Sequence, residues 1–260
     1  MTRAKQIRAI VLRAAGTNCD LETQYGLELA GAHAERIHIN RVMENPQLLD
    51  QFQMFVVPGG FSYGDDVAAG KILANQLVHH LAEPLHRFVE RGNCVLGICN
   101  GFQVLLKAGL LMRGANSRHV ATLTLNDSGK FEDRWVHIST ASSVCVYLKP
   151  GQSIYLPVAH AEGKFVVRDA AALNALVGND QVALRYVDDA GQRGEYPTNP
   201  NGSIDDIAGI CDPSGRVLGL MPHPERFVCS THHPQWTRSD REPQLDGLAL
   251  LRNGVEYLRA

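Results

Sequence analysis

The residues of this chain that point most directly to chemistry are at positions 97–103, Gly-Ile-Cys-Asn-Gly-Phe-Gln. The apolar run before Cys99 predicts a buried strand, and the pattern from Phe102 to Ala108 predicts the start of a helix. Cys99 is therefore expected at a strand-to-helix corner, where flanking glycines leave space around a nucleophile. A helix N-terminus beside a cysteine favours the thiolate and offers free N–H groups to an oxyanion. We predict that Cys99 is a catalytic nucleophile.

A cysteine nucleophile needs a base, and the base needs an orienting group. Among 11 histidines, His223 stands out because it follows a predicted strand and lies between Pro222 and Pro224. Glu225 is two residues further on, so in an extended backbone both side chains leave the same face. A carboxylate there can hold the imidazole in one tautomer and stabilise its cation. The alternative is an ordinary surface turn, but together with the corner at Cys99 the segment predicts a Cys99–His223–Glu225 triad.

The third element of such a site is a pair of backbone N–H groups that bind the oxyanion. Residues 58–65, Pro-Gly-Gly-Phe-Ser-Tyr-Gly-Asp, form a glycine-rich turn directly after a predicted strand at 54–57. The carboxyl ends of parallel strands meet at one edge of a sheet, so this turn is expected near the nucleophile. We predict that Gly60 and Asn100 supply the N–H groups of an oxyanion hole. The alternative is that the two glycines at 59–60 only end the strand.

The elements that must position these residues follow from hydrophobic periodicity. Strands are predicted at 7–12, 34–39, 54–57 and 94–98, and helices at 21–30 and 68–91, with the second helix interrupted near Pro84. Near-continuous apolar strands that alternate with helices are typical of parallel sheets. The predicted fold class is therefore α/β, with a doubly wound, mainly parallel sheet flanked by helices.

The pattern changes to strands and turns after Gly114. Strands are predicted at 122–125, 136–139, 144–148, 164–167 and 182–187, and a hairpin at 205–221 turns at residues 212–215. These strands indicate an antiparallel extension of the sheet and not a second domain. A polar loop is expected at 230–243 and a closing amphipathic helix at about 245–258. Residues 1–260 are thus predicted to form a single domain.

Composition excludes several classes of function. The net charge is -2 without a long run of like charges, so neither a nucleic-acid surface nor an anionic-membrane surface is expected. No apolar stretch reaches the length of a membrane span, and the N-terminus does not resemble a signal peptide. The six cysteines lack zinc spacing and are scattered through a long chain. We therefore expect free thiols, a cytoplasmic location, and no metal or cofactor on this chain.

Residues 97–103, taken with Pro-His-Pro-Glu at 222–225, resemble the class I, triad-type glutamine amidotransferase family. The resemblance implies that Cys99 forms a thioester while glutamine is hydrolysed to glutamate and ammonia. Stretches at 16–20, 59–65, 157–163 and 199–203 are similar to the glutaminase components of phosphoribosylformylglycinamidine synthases, which act in de novo purine (IMP) biosynthesis. Two features depart from that group: Ala161 replaces a usual glycine, and the segment 230–243 is longer than in compact members.

The narrower resemblance implies a division of labour between subunits. Ammonia would pass to an ATP-dependent synthetase subunit, with or without a small third subunit, and ATP and Mg²⁺ are expected on that synthetase partner. The resemblance also implies substrate contacts: Gln103 as a glutamine contact, with His160 and Ser203 close to the cleft.

Three other functions use related sequence features. A γ-glutamyl hydrolase would use the same triad without a partner. A redox-sensing or binding protein of related fold would keep the cysteine and would not need His223 or Glu225. A glutaminase that serves CTP or GMP synthesis would share the mechanism, and the Phe-Ser-Tyr-Gly-Asp stretch at 61–65 favours the purine enzyme instead.

Overall fold

The computed structural model describes residues 5–112, 120–238 and 244–260. The strands in these segments are β1 (Arg8–Arg13), β2 (His33–His38), β3 (Met54–Val57), β4 (Cys94–Ile98), β5 (Ala121–Thr124), β6 (Glu132–Thr140), β7 (Ser153–His160), β8 (Lys164–Val167), β9 (Val182–Val187), β10 (Ile207–Cys211) and β11 (Val217–Leu220). The α-helices are α1 (Asp20–Leu29), α2 (Ile39–Glu44), α3 (Lys71–Gln76), α4 (Ala82–Glu90), α5 (Asn100–Ala108), α6 (Ala170–Gly178) and α7 (Asp246–Arg259). None of these helices combines the length and the apolar character that a bilayer crossing requires.

One mixed sheet of nine strands organises the described chain, in the order β2-β1-β3-β4-β11-β10-β9-β6-β7. The strands from β2 to β11 pair in parallel, and those from β11 to β7 pair antiparallel. A separate two-stranded sheet consists of β5 and β8. The predicted α/β class with a parallel sheet and an antiparallel extension is confirmed, and the extension continues the same sheet.

Helices cover both faces of the parallel half. Side chains alternate between faces along a strand, so Met54 and Val57 point to opposite sides of β3. A Cβ atom placed on Gly254 of α7 would lie 3.2 Å from the Met54 methyl group, while one placed on Gly101 of α5 would meet the backbone of Val57. The helices α7 and α5 therefore lie on opposite faces, which is the doubly wound arrangement that the sequence predicts.

The predicted elements of the first half occur with shifts of one or two residues, apart from the long helix at 68–91. That segment consists of α3, a π-helical turn (Leu77–Leu81) and α4. Pro84 is the third residue of α4, so it has no N–H to donate and its ring would clash with a regular helical carbonyl at His80. The widened turn accommodates this clash, which is a known cause of helix irregularity.

The second half contains three departures from prediction. Residues 144–148 form turns and not a strand, because the Ser142 hydroxyl accepts from the N–H groups of Val144 and Cys145 and curls the chain locally. The strand β7 and the helix α6 were not predicted. The loop predicted at 230–243 begins with a short 3-10 helix (Ser230–His232) and continues in turns to residue 238, and residues 239–243 lie outside the described part.

Glycines let α5 approach the sheet closely. A Cβ atom at Gly101 would lie 1.8 Å from the Val57 carbonyl oxygen, and one at Gly97 would lie 2.6 Å from the Gly101 carbonyl oxygen. Side chains at these positions would push the start of α5 away from the ends of β3 and β4. The close packing therefore fixes where the first turn of α5 begins.

We predict that Gly101→Ala destabilises the protein by about 1–3 kcal/mol or more, since the added methyl group would overlap backbone that cannot rotate away. Urea unfolding followed by circular dichroism measures the change in the free energy of unfolding. The control is Gly178→Ala at the end of α6, where no described atom lies within 4 Å of the added carbon. Equal stability of the two variants would contradict this account of the packing.

Candidate active site

Cys99 occupies a strained corner between β4 and α5. Its backbone angles are φ 50° and ψ -106°, a combination that a residue with a side chain rarely adopts. Strain of this kind costs about 1–3 kcal/mol and persists only where the surroundings enforce it. Here the Cys99 N–H donates to the Leu220 carbonyl at the end of β11, over 2.8 Å. The corner thereby turns the thiol away from the sheet, 3.6 Å from the carbonyl oxygen of Ala159.

His223 lies just past the end of β11, the strand beside β4. Its backbone N–H donates to the Pro157 carbonyl over 2.8 Å, and its Nδ1 lies 2.6 Å from Glu225 Oε1. Both side chains are almost completely buried. Because a carboxylate only accepts hydrogen bonds, Nδ1 carries the proton, and Nε2 has no hydrogen-bond partner among the described residues. Nε2 is therefore the ring nitrogen that is left to exchange a proton with the Cys99 sulfur.

The charge state of His223 is set by opposing effects. Burial lowers its pKa, but the Glu225 carboxylate and a thiolate at the neighbouring Cys99 outweigh burial and raise the pKa well above the ordinary value of 6.5. The ring is thus readily protonated when a thiolate forms next to it. This is the electrostatic arrangement that a cysteine nucleophile and its base require.

Two backbone N–H groups lie at the edge of the site that the sequence predicts as an oxyanion hole. Asn100 is the first residue of α5, so its N–H has no acceptor within the helix. Gly60 has φ 137°, and a Cβ atom there would lie 2.8 Å from the amide nitrogen of Asn18. At the bridge between Thr17 and Gly60 the neighbouring Phe61 N–H makes the hydrogen bond, to Gly16. The Gly60 N–H is thereby left out of the pairing, but its role in binding an oxyanion stays a prediction.

The Asn100 side chain ties the corner to the loop after β3. Its Oδ1 accepts from the Ser62 N–H at 3.2 Å, and its Nδ2 donates to Asp65 Oδ1 at 3.1 Å and to Gln103 Oε1 at 3.0 Å. Gln103 in turn donates to the Glu162 carbonyl at 2.7 Å. The Gln103 amide is therefore already hydrogen-bonded within the protein, while the residue still lines the cavity described next.

A cavity of about 360 Å³ opens over Cys99 and His223. This volume is within the range of small-molecule sites. Of the sequence-predicted residues, those at its wall are Gly60, Cys99, Gln103, His160 and His223. The remaining wall residues include Asn18, Cys19, Phe61, Asp65, Phe131, Asp133, Glu162 and Arg226. The structure thus brings together six segments of the chain at one concave site, at 18–19, 60–69, 99–103, 131–133, 159–162 and 223–226.

Sequence reasoning missed Cys19 and Arg226 as members of this wall. The Cys19 thiol donates to Asn18 Oδ1 at 3.3 Å and accepts from Arg226 Nη2 at 3.2 Å. Burial raises the pKa of Cys19, and the effect of the neighbouring His223 opposes that rise only in part. Cys19 therefore remains a thiol at neutral pH. Two sequence features could have indicated these positions. Cys19 lies in the stretch at 16–20 that resembles the family, and Arg226 directly follows Glu225.

Cys19, His223 and Glu225 also form the kind of group that can ligate a metal ion. One ligand atom from each lies within 4.8 Å of the other two. This cluster was not predicted, because Cys19 is about 200 residues before His223 and Glu225 along the chain. His223 Nδ1 and Glu225 Oε1 are already bonded to each other at 2.6 Å, which is closer than two ligands of a tetrahedral ion normally approach.

His160, at the end of β7, lies in the cavity wall with 3% of its surface exposed. Its Nδ1 lies 3.1 Å from Asn126 Oδ1, while its Nε2 has no partner among the described residues. Burial, with a smaller contribution from the nearby His223, lowers the pKa of His160 to about 3. His160 is therefore neutral at neutral pH, in contrast to His223.

Ser203 does not line the cavity. Its hydroxyl donates to Asn201 Oδ1 at 2.7 Å and accepts from the Phe165 N–H at 2.9 Å. Asn201 Nδ2 donates to the Gly163 carbonyl at 2.8 Å. The segment 199–203 therefore holds the backbone at Gly163 and Phe165, which follows His160, and lies behind the cavity wall. The predicted substrate contact of Ser203 is not supported, because its hydroxyl is used to hold protein backbone.

A larger cavity of about 800 Å³ lies on the other side of this supporting segment. Its wall includes Asp127, Arg193, Tyr196, Asn199 and Asp206. Ion pairs and hydrogen bonds inside the protein occupy several of these side chains, such as Arg193 with Asp206 and Asn199 with Asp206. Size alone would favour this cavity, but the nucleophile and base candidates lie at the smaller one.

We predict that His160 makes the protein less stable in acid. Between its ordinary pKa of 6.5 and the folded value of about 3, the unfolded chain binds a proton that the folded chain cannot. Stability from this group is complete above pH 6.5 and falls by about 1.4 kcal/mol per pH unit below it. Urea unfolding at a series of acidic pH values should show a shallower loss for His160→Gln than for the unaltered chain. Parallel curves would contradict the buried neutral state.

Several known proteins are similar to this chain over nearly its full length. The "Phosphoribosylformylglycinamidine synthase subunit PurQ" of Dehalococcoides mccartyi is 44% identical over 256 residues, covering 98% of each chain. The protein of the same name from Treponema denticola is 42% identical and covers 96% of this chain and 98% of its own. A chain in the solved structure of PurLQS from Thermotoga maritima superposes with a TM-score of 0.74 at 31% identity, covering 98% of this chain and 100% of its own.

A more distant likeness concerns the fold alone. A solved glutamine amidotransferase from Thermotoga maritima is 14% identical and superposes with a TM-score of 0.57.

The family model described as "CobB/CobQ-like glutamine amidotransferase domain" matches residues 6–258, which is nearly the whole chain. With that match, the relatives above and a cysteine–histidine–glutamate site at the sheet edge, this chain belongs to the glutamine amidotransferase family.

Proposed function

We propose that this chain is the glutaminase subunit of a phosphoribosylformylglycinamidine synthase. It hydrolyses glutamine to glutamate and ammonia and supplies the ammonia to an ATP-dependent synthetase subunit. The observation that carries the proposal is the hydrogen bond between His223 and Glu225 beside the strained Cys99 corner, in a chain with near full-length relatives of that name.

The first chemical step is addition of the Cys99 sulfur to the side-chain carbonyl of glutamine. His223 Nε2 takes the thiol proton, and Glu225 stabilises the imidazolium that results. The negative charge that develops on the carbonyl oxygen is held by the N–H groups of Gly60 and Asn100. Each such donor contributes roughly 3 kcal/mol to the transition state in comparable enzymes.

The second step is departure of the amide nitrogen. The protonated His223 delivers its proton to that nitrogen, the C–N bond breaks, and ammonia leaves a γ-glutamyl thioester on Cys99. Water activated by His223 then attacks the thioester, which releases glutamate and restores the thiol. The raised pKa of His223 supports this role, because the same ring must hold a proton between the two steps.

The synthetase partner, ATP and Mg²⁺ belong to the second half of the reaction. The likeness to a chain in the solved structure of PurLQS supports a complex of this kind, and we propose a synthetase subunit, with or without a small third subunit, as the partner. In this proposal ATP and Mg²⁺ bind the synthetase, and this chain binds glutamine only. All six cysteines of the described chain are free thiols, which agrees with a reducing cytoplasm.

We predict that Cys99→Ala abolishes glutamine-dependent amidine formation by the assembled complex and preserves synthesis from added ammonia. The variant lacks the sulfur that forms the thioester, while the synthetase site is unchanged. Both activities are measured with ATP and the formylglycinamide ribonucleotide. The matched control is Cys229→Ala, which removes a partly exposed thiol outside the cavity and should retain both activities. Loss of the ammonia-driven reaction in a folded Cys99→Ala complex would contradict the proposed division of labour.

We also predict that the isolated chain hydrolyses glutamine far more slowly than the chain in its complex. Uncoupled hydrolysis would waste glutamine, so the site is expected to reach its full activity only when the synthetase is bound. The measurement is glutamate release by the chain alone and after addition of the synthetase with its substrates. Equal rates would favour the partner-free hydrolase described among the alternatives.

A further inference from the structure

The hydrogen bonds around His160, which is not part of the predicted triad, determine which of its ring nitrogens carries the proton. Asn126 determines this, because its amide can be oriented in one way only. Its Nδ2 donates to the carbonyls of Lys130 and His160 at 2.9 and 2.8 Å, and its Oδ1 accepts from the Gly163 N–H at 3.0 Å. Rotating the amide by 180° would place oxygen against two carbonyls and NH₂ against an N–H, so these bonds would be lost.

The orientation of Asn126 determines the tautomer of His160. Asn126 Oδ1 is an acceptor 3.1 Å from His160 Nδ1, so Nδ1 must carry the proton and donate. The ring is neutral because burial holds its pKa at about 3. Nε2 is therefore a lone-pair acceptor that cannot donate at neutral pH. It is buried in the cavity wall and has no partner among the described residues.

An unpaired buried acceptor is costly unless a ligand satisfies it. Because His160 lines the cavity, a ligand in that cavity is the available source of a donor for Nε2. His160 follows Ala159, whose carbonyl oxygen is 3.6 Å from the Cys99 sulfur, and the charge on His223 is close enough to lower the pKa of His160. The group that lies between Cys99 and His223 during the reaction is the amide nitrogen of glutamine.

We infer that His160 is a positioning residue whose Nε2 accepts a hydrogen bond from the carboxamide nitrogen of glutamine and from the ammonia formed from it. This inference rests on the proposed glutaminase function and adds to it a specific contact for the leaving group. The contact orients the amide so that its nitrogen faces His223. Because His160 Nε2 has no proton to give, it can hold ammonia without converting it to ammonium.

The test compares two substrates that differ at this nitrogen. Glutamine has an N–H donor at the leaving group, whereas glutamate γ-methyl ester has an ester oxygen there and shares the rest of the molecule. The variants are His160→Asn, which keeps a polar group near Nδ1 and removes the one at Nε2, and His160→Gln, which can place an amide oxygen near Nε2. All are assayed in the assembled complex, with ammonia-driven synthesis as the measure of intact assembly.

For His160→Asn we expect kcat/KM to fall about tenfold for glutamine, the size of one lost hydrogen bond, and within about twofold for the ester. His160→Gln should recover most of the glutamine activity. An equal fall for both substrates would overturn the inference, because a structural role or a contact to the α-amino group affects both alike. An unchanged value for glutamine would overturn it as well. Failure of the proposed function looks different: the unaltered complex would then hydrolyse neither substrate, and both ideas would fall.

Discussion

The parallel pairing of β4 with β3 on one side and β11 on the other is the constraint on which the site depends. Each of these strands ends at the same edge of the sheet, and each is followed by one functional segment: the Gly60 loop, the Cys99 corner and the His223–Glu225 turn. Hydrogen bonds across the strands fix the relative heights of these segments. Cys99 and His223, more than 120 positions apart along the chain, therefore come to the same edge of the sheet.

Close packing turns this edge into a strained corner. The glycines at 97 and 101 let α5 start against the backbone of β3 and β4, and the bond from Cys99 to Leu220 holds the unusual backbone angles. The strain is stored where the nucleophile must project from the sheet. Asn100 extends the same rigidity to the loop after β3, since its side chain bonds to Ser62 and Asp65.

Two buried histidines near the nucleophile have opposite charge states for identifiable reasons. His223 has a carboxylate on Nδ1 and a thiolate as neighbour, so its pKa rises although burial opposes the charge. His160 has a neutral amide oxygen on Nδ1 and no carboxylate to outweigh burial, so its pKa falls. The His223 ring can therefore carry the extra proton during the reaction, while His160 stays neutral and its Nε2 can only accept a hydrogen bond. The two rings differ in charge because the partner of Nδ1 is the Glu225 carboxylate in His223 and the Asn126 amide in His160.

Sequence reasoning located the parallel half of the fold and the strand-to-helix corner at Cys99 because local patterns determine them. The strands at 54–57 and 94–98 are continuous apolar runs with glycines after them, so periodicity and turn chemistry agree. The pairing of His223 with Cys99 also followed, since both come after predicted strands. In each case the local sequence already contains the constraint that acts in the folded chain.

The parts that could not be predicted depend on contacts between distant residues. The strand β7 contains Pro157, which has no N–H to donate, and this is tolerated because β7 is the edge strand of the described sheet and pairs there with β6 alone. Residues 144–148 have strand-like side chains, yet the Ser142 hydroxyl turns them locally. Cys19 reaches the cavity through the loop after β1, and Ser203 is held behind its wall by Asn201 and Phe165. No local pattern encodes those positions.

The most direct test of the central claim is to trap the covalent intermediate. The complex is mixed with isotopically labelled glutamine, quenched in acid within milliseconds to seconds, digested and examined by mass spectrometry. The expected result is a γ-glutamyl group on the peptide that contains Cys99. This adduct should accumulate when hydrolysis of the thioester by water is slowed. Glutamate release without any adduct, or an adduct on the neighbouring thiol of Cys19, would contradict the account.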